Sequence, residues 1–141
     1  MKHLFLDTNI LLDVLADRQP FSEPAALLLE LAEKKRVRLY VSALSYAVLA
    51  YLLKKQLSHR ELVKTLRDLE ALTVTLDVSG EVISGALSSG FTDLEDAIQY
   101  HTALSQKRIT AIITRNGGDF RKSELAVLTA AEALSLLAKE K

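Results

Sequence analysis

Short runs of β-forming residues alternate with longer helical patterns along the whole chain, and this alternation is the mark of βαβ units feeding a parallel sheet. Strands are expected over residues 2–6, 37–41, 73–76, 109–113 and, more faintly, 126–128. Helices fill the intervals. Ser58-His59-Arg60-Glu61, Thr92-Asp93-Leu94-Glu95 and Thr129-Ala130-Ala131-Glu132 each fit a capping box, in which a hydroxyl and a carboxylate three positions apart satisfy the first free amides of a helix. Ser22 with Pro24 marks another helix start, and Ser42 and Ser79 suit the caps of helices beginning near Ala43 and Gly80. Gly90 reads as a helix stop and Gly117-Gly118 as a mobile loop. The helix from Ala43 to Lys55 is apolar nearly all round, which predicts burial on more than one side, either in the centre of the domain or partly against a second subunit.

The 141 residues suit a single domain spanning 1–141, and 49% hydrophobic with 26% charged residues is an ordinary globular mixture. Eighteen basic residues balance eighteen acidic ones, so any contact with nucleic acid must come from a local patch. The absence of cysteine excludes disulfides and thiolate metal sites and leaves oxygen-ligated metals open. No apolar run approaches the about 18 residues that span a bilayer, and Met1-Lys2-His3 leads into a strand without a signal-peptide pattern, so the expectation is a cytoplasmic protein with no membrane contact. There is no phosphate-binding glycine motif.

In a parallel α/β sheet the carboxyl ends of strands and the amino ends of the following helices share one edge, where ligands bind. Asp7 closes the first strand, after Leu4-Phe5-Leu6 and before Thr8-Asn9. Asp93 and Asp96 fall near the start of a helix, three residues apart and hence roughly 5–6 Å apart on one face. Thr114, Arg115, Asn116 and Asp119 follow the fourth strand. Clustered carboxylates repel unless a proton or a cation neutralises them, and Mg²⁺ or Mn²⁺ takes oxygen ligands while keeping water and substrate phosphates in its shell. Simpler roles compete: Asp7 or Thr8 can cap the helix starting near Asn9, Asp93 suits a helix's first turn whatever its function, and Asp119 suits an Asx turn. Arg115, Arg121 and Lys122 flank the proposed pocket and are the candidate phosphate contacts, Arg115 foremost. Lys34, Lys35, Arg36 and Arg38 read rather as a solvated helix end. His3, His59 and His101 have no metal-ligand spacing.

Three blocks together, Phe5-Leu6-Asp7-Thr8-Asn9-Ile10-Leu11, Asp93-Leu94-Glu95-Asp96-Ala97-Ile98-Gln99 and Ile112-Ile113-Thr114-Arg115-Asn116 followed by Asp119-Phe120, resemble the PIN-domain ribonucleases over essentially the whole chain, and in particular their VapC-like toxin branch. The resemblance implies a three-layer α/β/α sandwich around a parallel sheet of four to five strands. It implies an endoribonuclease using Mg²⁺ or Mn²⁺, with RNA as substrate and a small antitoxin protein as partner; the apolar helix from Ala43 separately leaves a homodimer open. Asp7 and Asp96 would be the principal metal-binding acids, with Asp119 and Asn116 completing the catalytic pocket, Asp93 as an additional metal ligand, and Asn9, Thr114 and Ser45 in support.

One position departs from the family pattern. The usual glutamate on the helix after the second strand falls in register on Val48, which cannot bind a cation; Ser45, Asp77 and Asp93 are nearby alternatives without being evident replacements. Val48 therefore separates an active nuclease from a catalytically impaired PIN-like module that binds RNA or protein. A third option, a phosphoryl-transfer domain with Asp7 as acceptor, is disfavoured by Asn9 and by the lack of a lysine after a late strand.

Overall fold

The computed structural model describes residues 1–120 and 123–139, the side chain of Asp119 excepted. Strand β1 (Lys2–Leu6) leads into helix α1 (Thr8–Leu15) and α2 (Ser22–Glu33); β2 (Val37–Ser42) follows, then α3 (Ala43–Leu53), α4 (His59–Leu72) and β3 (Val74–Leu76). The second part runs α5 (Gly80–Leu87), α6 (Leu94–Leu104), β4 (Ala111–Ile113), a 3-10 turn (Gly117–Phe120), β5 (Ala126–Leu128) and α7 (Ala130–Ala138). All strands are parallel, in the order β3-β2-β1-β4-β5. The chain builds outward from β1 to β2 and β3, then crosses to the other side for β4 and β5. The direction of winding thus reverses between β1 and β4, where adjoining loops part and leave a crevice at the carboxyl ends.

Parallel strands covered on both faces need apolar residues pointing both ways. Leu4, Phe5 and Leu6 have no exposed surface. Leu4 and Leu6 join Leu39, Val41, Ala111 and Ile113 in a core closed by α1, α2, α3, α4 and α7, whereas Phe5, Tyr40 and Ile112 face the opposite layer with Tyr100, Ala103 and Phe120. This period-two division produces the three layers. On the second face α5 lies close against α6: a Cβ at Gly85 would stand 2.7 Å from His101 Nδ1.

Expected helix starts at Ser42, Ser58, Ser79 and Thr129 are all present, with complete capping boxes at Ser58 and Thr129. The α6 start differs. Its cap is Asp93 rather than Thr92, because the Asp93 carboxylate accepts from the Asp96 amide at 3.0 Å. At α2, Phe21 occupies the cap position without a side-chain bond, and the Ser22 hydroxyl donates instead to Asp17 Oδ1. Thr73 ends α4, its hydroxyl bonded to the Leu69 carbonyl, which moves the start of β3 to Val74. Similarly, the Ile109 amide turns back to the Gln106 carbonyl and β4 starts at Ala111. Gly117-Gly118 opens a 3-10 turn rather than an irregular loop.

Helix α3 is also less enclosed than its composition implies. Ser45, Leu49 and Leu53 are buried, but Tyr51 is 62% and Leu52 48% exposed. Its apolar character therefore serves two surfaces, one core-facing and one open. Among the described residues no helix is long and apolar enough to cross a membrane.

Candidate functional site

Register brings the first acid to the crevice. Leu6 pairs with Ile113, so the next residues, Asp7 and Thr114, stand side by side at the winding reversal. The Asp7 amide donates to the Ile113 carbonyl at 3.0 Å, and the Thr114 amide to that of Leu128 at 2.9 Å. Asp7 is 4% exposed; its Oδ1 accepts from the Thr8 amide and its Oδ2 from the Thr114 hydroxyl, each at 2.7 Å. Asp7 therefore caps α1 and is at the same time a rigidly held buried acid at the sheet edge, so the cap does not exclude a site role. Thr114 Oγ1 accepts in turn from the Asn116 amide at 3.1 Å. Asn9 Nδ2 lies 3.5 Å from the same hydroxyl, while Asn9 Oδ1 is buried with no hydrogen-bond partner among the described residues.

A second polar group lies on the other side of Asp7. Thr8 and Ser45 hydroxyls are 2.7 Å apart, and the Gln99 Nε2 donates to both, at 2.6 Å and 3.2 Å. Thr8, Ser45 and Gln99 are all buried, and they tie α1, α3 and α6 together over the sheet edge. Among the described residues Gln99 Oε1 has no hydrogen-bond partner. Asp96 lies one helical turn nearer the start of α6 on the same face as Gln99, and is half-buried. The Gln99 bridge thereby fixes the face of α6 that carries Asp96 against α1, the helix capped by Asp7.

The remaining predicted residues are placed less centrally. Asp93 is exposed and its carboxylate is engaged at the α6 cap. Beside it, burial and then the negative charge of Asp93 push the Glu95 carboxyl above its ordinary value. Asn116 is exposed at the rim. The backbone of Asp119 belongs to the 3-10 turn anchored by buried Phe120, but its side chain lies outside what is described, as do Arg121 and Lys122. Val48 sits one turn beyond Ser45, half-buried, beside Ala47, Tyr51 and Leu52 on the open side of α3. Among the described residues no group of three His, Cys, Asp or Glu is arranged to hold a metal ion.

Arg115 is placed differently from a free phosphate contact. Its Nε and Nη2 donate to both oxygens of Asp13 at 2.7 and 3.0 Å, and its guanidinium lies 4.0 Å from the centre of the Phe21 ring. Asp13 has no exposed surface. The guanidinium charge is thus matched to a buried carboxylate, which is the bidentate geometry that favours arginine over lysine. Sequence reasoning missed Asp13, Phe21 and Gln99. An acid alone in the apolar run Ile10-Leu11-Leu12-Asp13-Val14-Leu15 was the available signal, since a buried carboxylate needs a partner. Asp13, Phe21, Arg115, Asn116 and Thr129 border a cavity of about 320 Å³ next to the rim.

Comparison with known proteins agrees with this architecture. The family profile described as PIN domain matches residues 3–117. The chain belongs to the PIN-domain family. No curated protein sequence matches it. Among solved structures, this PIN domain is similar to a chain of a toxin–antitoxin complex from Klebsiella pneumoniae, at 25% identity and TM-score 0.66 over 90% of this chain and 97% of that one. It is also similar to VapBC-1 from nontypeable Haemophilus influenzae, at 17% identity and TM-score 0.67 over 92% and 98%. A third neighbour is VapC20 from Mycobacterium tuberculosis, a sarcin-ricin loop cleaving toxin, at 16% identity and TM-score 0.59 over 77% and 86%. The α/β fold with its five-stranded parallel sheet is the one these VapC-like PIN domains share.

Proposed function

We propose that this PIN domain is a divalent-metal-dependent endoribonuclease and the toxin of a toxin–antitoxin pair. The observation that carries the reading is the Asp7 carboxylate, buried at the winding reversal and held through both oxygens, with Asp96 on the helix face tied to α1 through Gln99. The donor set fits Mg²⁺ or Mn²⁺: it is all oxygen, and Asn9 contributes a buried amide oxygen without a partner. Few carboxylates suffice, because Mg²⁺ is commonly held by one or two and otherwise keeps water or takes phosphate oxygens.

Asp7 and Asp96 would hold the cation, with Asp119 a further acid at the rim and Asp93 a peripheral one. When bound, the cation neutralises phosphate charge and makes water a better nucleophile. Thr114 keeps Asp7 from turning, and its bond to the Asn116 amide directs the following loop across the crevice. Asn116 would orient the scissile phosphate, while Arg121 and Lys122 would meet flanking phosphates. Phe21, 40% exposed beside the Arg115 guanidinium, offers a stacking surface for an unpaired base.

Structural neighbours include a toxin–antitoxin complex and VapBC-1, and a small antitoxin that covered this rim would keep the nuclease silent. The test is RNA cleavage by purified protein in Mg²⁺, Mn²⁺ or chelator. Cleavage is expected only with metal, and Asp7→Asn and Asp96→Asn are each expected to abolish it while leaving thermal unfolding cooperative. Metal-stimulated cleavage surviving both changes would reject the assignment.

Val48 favours a second reading, an impaired PIN domain that binds RNA or protein without cutting. The position is half-buried on the margin of an apolar strip, so Val48→Glu can be introduced without confining its charge in the core. Activity appearing in Val48→Glu from a silent parent would decide for that reading.

A further inference from the structure

Gln99 stands apart among the largest fully buried side chains of the described residues, because the others are Phe, Leu and Ile. Its amide nitrogen is engaged by the Thr8 and Ser45 hydroxyls, yet its amide oxygen, equally buried, meets no hydrogen-bond partner. Turning the amide over does not remove the problem. The oxygen would then accept from the hydroxyls and leave two buried N–H donors unmatched. Either way one end of Gln99 calls for a group that the described residues do not supply, and burial without such a group is unfavourable.

Location indicates which group. Gln99 contacts Thr8, the residue after Asp7, and lies one turn below Asp96 on the same helix face. Its other contact, Ser45, is one turn before Val48, the position at which the family pattern expects a glutamate. We propose that the Gln99 amide oxygen takes the place of that missing acid, accepting a hydrogen bond from the hydration water of the divalent cation between Asp7 and Asp96. Thr8 and Ser45 hold the amide in this orientation by binding its nitrogen. Unlike a glutamate, the amide adds no third negative charge, so it orients the water while leaving cation affinity modest. Gln99 is a positioning residue in this account, and the inference rests on the metal-dependent reading of the same site.

Mn²⁺ titration of the full chain by calorimetry, together with thermal melts at several Mn²⁺ concentrations, tests it. Gln99→Met preserves bulk and removes the amide; Mn²⁺ binding should weaken about 10–100-fold, the loss typical when a residue supporting a metal shell is removed. Gln99→Glu keeps acceptors for both hydroxyls and adds a charge that only a cation can balance in a buried setting. It should bind Mn²⁺ at least about tenfold more tightly than the parent and gain more thermal stability from added Mn²⁺. Mn²⁺ affinity within about twofold of the parent in a folded Gln99→Met protein overturns the proposal. Should that variant fail to fold, the Glu variant decides: unchanged affinity and a melting temperature indifferent to Mn²⁺ overturn it. Cleavage is read separately. A parent that binds Mn²⁺ in a Gln99-dependent way but does not cut RNA rejects the nuclease and supports the Gln99 role; cleavage unaffected by chelator, with no Mn²⁺ binding, rejects both.

Discussion

Arg115 and Asp13 lie 102 positions apart and form a two-point ion pair between the segment after β4 and the middle of α1. Asp13 is fully buried, so removal of its partner leaves a carboxylate charge in the core. Arg115→Met is expected to lower folding stability by about 3–5 kcal/mol, the usual result of breaking a buried pair from one side. Urea denaturation checks this, and a loss within about 0.5 kcal/mol would show the pair to behave like a surface contact. The consequence reaches function: poor RNA binding by an Arg115 variant would reflect a disturbed crevice, not one missing phosphate contact. The position of Asp7 at the crevice was legible because strand, acid and helix start are consecutive in sequence. The Arg115–Asp13 pair and the Thr8–Ser45–Gln99 bridge were not, since their partners come from separate elements and no local pattern announces which polar side chains meet.

At the scale of elements, β1 illustrates how burial and electrostatics combine. His3 Nδ1 lies 2.7 Å from the Tyr40 hydroxyl of β2, and desolvation, followed by the charges of Arg108 and Arg38, holds the imidazole below its ordinary value of 6.5. The folded state therefore prefers neutral His3, and below pH 6.5 the unfolded chain binds more protons than the folded one. The His3 contribution is complete above pH 6.5 and is lost as the pH falls from there toward the depressed folded value. Denaturation midpoints measured from pH 8 to pH 5 should fall less steeply in His3→Gln than in the parent; parallel curves would show that His3 is not the group responsible. Element boundaries were readable wherever a side chain caps its own helix, as at Ser58 and Thr129. They shifted where a different local bond won, as when Asp93 rather than Thr92 took the Asp96 amide.

For the whole molecule, the open side of α3 is the feature a single chain leaves unexplained. Tyr51 and Leu52 are exposed there, with Lys54 placed 4.6 Å over the Tyr51 ring, and Val48 and Ala47 continue the strip. Contiguous apolar surface of this kind usually marks an interface. A second copy of the chain is the expected occupant, so Tyr51→Glu should shift the mass measured by light scattering from dimer to monomer without altering the melting transition of the fold. A monomeric parent would reject the dimer. The α/β class and the sheet were legible in the alternation of patterns, whereas the sequence left the second side of α3 open between core and a second subunit, because an apolar helix looks the same in either setting.

Metal-dependent cleavage and the positioning role of Gln99 both require a cation between Asp7 and Asp96. A crystal soaked in Mn²⁺ and measured for anomalous scattering tests this directly. The expected result is a peak within about 2–2.5 Å of carboxylate oxygens of both acids, present in the parent and absent from Asp7→Asn. A parent crystal with no peak there, or with a peak unchanged in Asp7→Asn, would contradict it.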